Sequence, residues 1–440
     1  MPKKGKKGGK GKKKGKKKAK AKGPANADVI VQRLLKCYER NCVVTESQMC
    51  LTIKKALQAC IENGAILTRF ILEAVMVEKE GDIPVLLEPL LAALRQERYT
   101  YIKDLHIWKY PMSYENTATL ALLLEKPFYP IRQLEMMDCL LDADSALRLS
   151  RTFKMTEVLT MINLDYNEFG DEGCKNLCKG LENNTTILSL SLCFCDLGID
   201  SGRYLGNIVS TTALRELYLD GNNLLCEGAI EIIKLCAEQA EYEAYQRAEE
   251  LQKKAEEEAA KLQKDHGDIE SMMSGMEKEA KSRFGSAVSG DSGKDEKSDA
   301  AEGTEEKKKK KKGKKGKKKK KKGPPPPPRV GPWIQKLHLA DNGIDNLQFG
   351  SKFTPLICIR IFKKLLMYSD CFEELDLEDN LIGDLAGREI IEALEYRKEE
   401  KLSGVKLIAT HRLSAETYSA LAKLGSGLKK KKKKGKKKKK

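Results

Sequence analysis

Few side chains in this chain are placed for chemistry. Only four histidines, His106, His266, His338 and His411, are spread over 440 residues. A metal site or an activated nucleophile needs imidazoles, thiolates and carboxylates at recurring spacings. Cys174 and Cys178 lie four apart on a predicted helix, and Cys193 and Cys195 two apart on a predicted strand, yet no second pair or histidine completes a tetrahedral set. The chain has no phosphate-cradling G-x-x-x-x-G-K-[ST], no G-x-S-x-G elbow and no H-E-x-x-H. The expectation is a protein that is not an enzyme, with no cofactor and no metal, whose 13 cysteines are reduced and structural.

Charge gives a second kind of chemistry. Lys3–Lys22 holds 13 lysines, Lys307–Lys322 holds 14 and Lys429–Lys440 holds 11, without an acidic residue among them. Removing those 38 from the 82 Lys and Arg leaves 44 against 64 Asp and Glu, so the overall +18 conceals a remainder of −20. Like-charge runs of this length repel themselves and stay disordered. Interleaved with glycine and lacking aromatics, they can neutralise phosphates or acidic peptides but cannot stack on bases or read a sequence. Tubulin's acidic tails, nucleic acid and anionic surfaces are all suitable partners. No apolar run is long enough to span a membrane, and the N-terminal lysines lead into a polar helix start without a signal-peptide core. A soluble intracellular protein is expected.

The elements that must position any surface are set by an internal repeat, L-x-x-L-x-L-x-x-(N/C)-x-L. Its clearest copies are Leu159, Ile162, Leu164, Asn167; Ile187, Leu190, Leu192, Cys195; Leu214, Leu217, Leu219, Asn222; Ile334, Leu337, Leu339, Asn342; and Phe372, Leu375, Leu377, Asn380. Weaker copies start at Ile102, Ile131 (with Cys139) and Leu402. The alternating L-x-L reads as a short strand with its leucines inward, and the segment after it as a helix. The inward Asn or Cys of each repeat, Cys139, Asn167, Cys195, Asn222, Asn342 and Asn380, is expected to satisfy backbone groups of its neighbour.

The runs Leu217-Tyr218-Leu219-Asp220-Gly221-Asn222-Asn223-Leu224 and Leu375-Asp376-Leu377-Glu378-Asp379-Asn380 resemble the ribonuclease-inhibitor-like class of leucine-rich repeats. That resemblance implies an α/β solenoid, a horseshoe with a parallel sheet inside and helices outside, and protein binding as the usual role. The outward strand positions would line its concave wall: Asp104, Trp108, Glu135, Asp165, Glu216, Tyr218, Asp220, Glu374, Asp376 and Glu378. Acidic groups beside Trp and Tyr suit a basic protein segment. His106 and His338 also fall at outward positions.

The expected organisation is a disordered Lys/Gly tail (1–23), an α-helical capping segment (24–100), leucine-rich repeats (101–236), an insertion (237–332), further repeats (333–424) and a lysine tail (425–440). In the capping segment, Leu67, Phe70, Ile71, Ala74 and Val75 fit a helical period, Thr45 and Ser47 offer caps, and Pro84 suits a helix start. The insertion opens as a charged helix with 20 acidic residues against 10 Lys and Arg over 237–306. It passes through the lysine tract into a polyproline spacer, Pro324–Pro328. In its lysine-glycine opening, repeats and charged helix, the chain resembles leucine-rich-repeat proteins of the ciliary axoneme. This implies a cytoplasmic structural adaptor on a microtubule-based assembly, with a nuclear or nucleolar RNA-associated protein as the alternative.

Overall fold

The computed structural model describes residues 24, 26–74, 83–284, 328–345, 354–409 and 413–427, with side chains of the long helix described to 261. The lysine tracts and almost all of the polyproline run lie outside these residues.

Two helices, α1 (Ala27–Val44) and α2 (Leu51–Glu62), precede an alternation of strands and helices. This runs β1 (Arg69–Glu73), α3 (Glu88–Gln96), β2 (Asp104–Trp108), α4 (Tyr114–Leu124), β3 (Gln133–Met137), α5 (Ala143–Phe153), β4 (Met161–Asn163), α6 (Gly170–Leu181), β5 (Ser189–Ser191), α7 (Ile199–Thr211) and β6 (Glu216–Tyr218). The 60-residue α8 (Leu225–Phe284) follows, then β7 (Lys336–His338), α9 (Pro355–Tyr368), β8 (Glu374–Asp376), α10 (Gly383–Glu399), β9 (Lys406–Ile408) and α11 (Ala415–Gly427). All nine strands form one parallel sheet in chain order. This is an α/β repeat solenoid.

The period that defines the repeat also fixes the register. Phe70, Leu105, Leu134, Ile162, Leu190, Leu217, Leu337, Leu375 and Leu407 lie side by side across the sheet. A slip of one residue would turn these side chains to the other face. All but Leu407, on the last strand, are essentially inaccessible and belong to one continuous hydrophobic core. No single repeat closes such a core by itself, and the stack does.

Helix starts are secured from the preceding repeat as well as locally. Ser113 and Asn116 form a reciprocal capping box on α4, and Asp142 accepts the Ser145 N–H at the start of α5. Asp171 in α6 reaches across to accept the N–H groups of Gly198 (2.9 Å) and Ser201 (3.1 Å), capping α7, and Asp384 in α10 accepts the Ser414 N–H (2.9 Å) before α11. Where α7 meets α8, a Cβ on Gly202 would stand 2.4 Å from the Gly228 backbone, so only glycine permits this approach.

The expectation of an all-helical segment over 24–100 is corrected by β1. Its burial alternates, with Phe70 and Leu72 inward, because β2 supplies a strand edge that outweighs the helical spacing of a short apolar run. The repeat array therefore begins one unit earlier than Ile102. Neither Thr45 nor Ser47 caps α2: Thr45 ends α1, and Ser47 Oγ accepts the Leu86 N–H. Pro84 lies before α3, whose early proline is Pro89. Cys50, just before α2, directs its thiol at the Ile71 carbonyl of β1 (3.6 Å), and Val31, Leu34, Ile53 and Leu57 extend the core past this strand.

β6 pairs directly with β7, so the sheet continues across the inserted sequence. One compact unit comprises Met1–Glu241 and Pro328–Lys440, and a second runs Tyr242–Pro327. Within the first unit α8 buries Cys226, Ala229, Ile232, Ile233 and Cys236. Within the second, residues 251–261 of the helix are exposed, and the pairs Glu249–Lys253 (3.9 Å) and Glu250–Lys254 (3.6 Å) suit a solvated helix. No described helix is long and apolar enough to cross a membrane.

Candidate partner-binding face

Seven of the ten expected residues, Asp104, Trp108, Glu135, Glu216, Tyr218, Glu374 and Asp376, stand on strands at alternate positions to the inward leucines, and Asp165, Asp220 and Glu378 lie two residues past the ends of β4, β6 and β8. Asp104 pairs with Arg69 (3.4 Å), Glu216 with Lys336 (2.6 Å) and Glu374 with Lys406. Glu135 accepts the Trp108 indole N–H (3.3 Å) and lies 2.5 Å from His106 Nδ1. His106, beside it, holds its carboxyl below the usual carboxylate range. The wall is thus a ladder of matched charges rather than an unbroken acidic strip. Its basic members, Arg69, Lys336 and Lys406, were the residues sequence reasoning missed. Lys336 and Lys406 were findable, because they occupy the same outward register as Glu216 and Glu374.

Three of the expected acids are committed to the backbone. Asp165 accepts from Ser191 Oγ (2.7 Å) and the Cys193 N–H (2.8 Å), Asp220 from the Ala340 N–H (2.8 Å), and Asp376 from the Glu378 N–H (2.9 Å). Burial raises the Asp376 carboxyl. Near it, His338 has Nδ1 3.8 Å from Asp220 and from Asp376, and Nε2 3.4 Å from Glu374. Burial alone would depress this imidazole, but the carboxylates carry it above its ordinary value. Tyr218, whose hydroxyl donates to Glu216 (3.3 Å), stands edge-on to the His338 ring at 4.7 Å. Glu378 is half-buried past the end of β8.

Behind the wall, the inward residues form the expected ladder. Asn167 Oδ1 accepts from the N–H groups of Cys139 (3.0 Å) and Leu141 (3.2 Å), while its Nδ2 donates to Met136 and Leu164 carbonyls (both 2.7 Å). Asn222 repeats this with Cys195 and Leu197, and Asn380 with Asn342 and Ile344. Asn342 donates to Leu219 (2.9 Å), but its buried oxygen has no partner among the described residues. At this junction the Leu225 N–H turns to the Asn342 backbone carbonyl instead. Cys139 and Cys195 are simpler rungs, each donating its thiol to a carbonyl of the preceding repeat (3.3 Å). Burial pushes the Cys139 thiol up to about 12 and Cys195 higher still, so neither is a ready nucleophile.

The residue before each rung lies in the left-handed region: Lys109, Asp138, Tyr166, Phe194, Gly221, Asp341 and Asp379. Sequence reasoning passed over this column, although two of its members are aromatic. The Tyr166 and Phe194 rings stack at 4.9 Å with 4° between planes, and remain 50% and 42% exposed. Phe194 lies over Gly221, where a Cβ would come within 2.2 Å of the ring. Beside Tyr166, a concavity of about 500 Å³ is lined by Glu73, Trp108, Lys109, Met137 and Asp138.

No family model matches the chain. It is 29% identical over 127 residues to the mouse NACHT, LRR and PYD domains-containing protein 12, and 29% identical over 143 residues to protein 4B of the same name and organism. These stretches cover 28% and 31% of this chain but 12% and 16% of those proteins, so the chain spans a minor part of either. The solved structure of Leiomodin-1 Actin-Binding Site 2 is similar over 32% of this chain and 82% of its own, at 17% identity and a TM-score of 0.25, too low to carry an argument. The single parallel sheet in chain order and these partial matches are consistent with repeats of the leucine-rich type.

Proposed function

We propose that this chain is a non-catalytic protein-binding scaffold acting as a structural adaptor of a microtubule-based assembly such as a ciliary axoneme, with cytoplasm and cytoskeleton as its location. The observation that carries the scaffold reading is the wall itself: nine parallel strands present one face whose polar groups are mostly matched to neighbours across the sheet. A face with its charges already matched is pre-organised for contact. The helices α1 and α2 serve as the cap of the array's first edge. The lysine tracts would contact acidic partners such as tubulin tails, a contact that ionic strength weakens.

Co-sedimentation of the full chain with microtubules, across a salt series and with tail-cleaved tubulin, tests the adaptor reading. Binding that requires the three tracts, weakens steeply with salt and drops on tail cleavage is expected. No binding at low salt overturns the microtubule role, and selective capture of RNA by the same tracts would replace it with the nuclear alternative.

A further inference from the structure

We propose that the aromatic edge made by Trp108, Met137, Tyr166 and Phe194 docks an extended, arginine-bearing segment of a partner protein, a guanidinium lying flat on the Tyr166–Phe194 stack. This rests on the reading of the chain as a protein-binding scaffold, but not on microtubules.

Backbone cost gives the first reason. Bulky side chains are rare at positive φ, and here Tyr166 (φ 61°) and Phe194 (φ 55°) occupy it in consecutive repeats. Of the equivalent positions, Asp138, Gly221, Asp341 and Asp379 hold residue types that tolerate this conformation, and Lys109 is the other long side chain there. Both rings remain about half exposed, so core burial does not account for them. The left-handed turn belongs to every repeat from β2 to β8, so what calls for a functional reason is the choice of two exposed aromatic rings at it.

The chemistry of the surroundings selects the occupant. Trp108 is held in orientation by its N–H bond to Glu135, and Met137 beside it is adaptable. At the rim, the carboxylates of Glu73 and Asp138 outnumber the single ammonium of Lys109. A planar guanidinium satisfies both features, because it stacks on an aromatic face and bridges a carboxylate with paired N–H donors, whereas an ammonium does neither as well. The chain shows the same geometry internally, with Arg329 Cζ 3.5 Å from the Trp333 ring centroid.

The test uses the full chain carrying Trp333→Phe, which leaves Trp108 as the reporter, since the chain has two tryptophans. The probe is a capped Arg-Gly-Gly-Arg-Gly-Gly-Arg peptide, compared with its lysine and citrulline counterparts by Trp108 fluorescence at physiological salt. Saturable binding to the arginine peptide is expected, with the lysine peptide about tenfold weaker and the citrulline peptide silent. Tyr166→Asn with Phe194→Asn should abolish that binding while the melting temperature holds or rises, because asparagine accepts the left-handed backbone. Equal binding of arginine and lysine peptides, unchanged binding by the double variant, or no saturation overturns the site. Because the double variant keeps its lysine tracts, microtubule co-sedimentation run in parallel separates failure of this site from failure of the adaptor reading.

Discussion

Asn222 is the rung whose removal tests the repeat most directly. Its Oδ1 accepts from the Cys195 (3.0 Å) and Leu197 (3.1 Å) N–H groups, and its Nδ2 donates to the Leu192 (2.9 Å) and Leu219 (2.8 Å) carbonyls. Asn222→Ala orphans the Cys195 and Leu197 N–H groups and the Leu192 carbonyl, while the Leu219 carbonyl keeps the Asn342 amide (2.9 Å), in a site where Asn222 itself is 3% exposed. At about 1–3 kcal/mol per buried orphan, the full penalty of three would be about 3–9 kcal/mol. Water entering the truncated space offsets part of it, so a loss of about 3–5 kcal/mol is expected. Asn222→Cys should cost less, because a thiol can still donate to the Leu192 carbonyl as Cys195 does to Leu164. Urea unfolding followed by far-UV circular dichroism measures both, and in a repeat array the alanine variant should split the transition at β5–β6. A loss below about 1 kcal/mol for Asn222→Ala, or a cysteine variant as damaged as the alanine one, would refute the accounting.

Three further outcomes follow from single residues. Phe70 is fully buried in β1, edge-on to Tyr99 at 5.8 Å, so Phe70→Ala should lower stability by about 3–5 kcal/mol in the same unfolding assay; a surface-like effect would remove β1 from the array. Arg397, fully buried, donates to the Leu366, Ser369 and Ser403 carbonyls, and burial depresses its guanidinium to about 10. Arg397→Lys should still cost about 3 kcal/mol, since one ammonium cannot reach three carbonyls as a planar fork does, and full retention of the melting temperature would contradict this. His338 titrates above its ordinary 6.5 in the folded chain, so its contribution is complete below that value and is lost as pH rises through the raised one. Comparing His338→Gln with the parent across that window by thermal melts should show the parent's advantage shrinking with rising pH, and parallel curves would exclude the coupling.

The leucine positions made the fold legible because their period encodes both strand and register, and because Asn or Cys must recur where the backbone of one repeat needs a partner from the next. β1 was not legible for the same physical reason in reverse. In the unbroken apolar run Phe70-Ile71-Leu72 a helical spacing can use Phe70 and Ile71 and a strand Phe70 and Leu72, and only the neighbouring strand decides between them. The wall residues were legible one at a time, as outward positions. The pairing of Lys336 with Glu216 and of Lys406 with Glu374 was readable from the same register, because Leu217 and Leu337 both fit the repeat on either side of the insertion, whereas that of Arg69 with Asp104 was not, since it rests on β1.

This pairing changes what a partner has to do. Had Glu216, Glu374 and Asp104 been free, a basic segment could bind along the wall by charge alone. With Lys336, Lys406 and Arg69 already against them, such a segment must first displace an ion pair, gaining little from exposed charges that solvent screens. Affinity must then come from groups the sheet leaves uncovered, and among the described wall residues these concentrate where Trp108, Met137, Tyr166 and Phe194 meet the Glu73 and Asp138 rim. Glu374→Gln removes an acid and releases Lys406, whereas Glu374→Lys also sets a second cation beside it, so its effect on binding a basic partner should be the larger of the two.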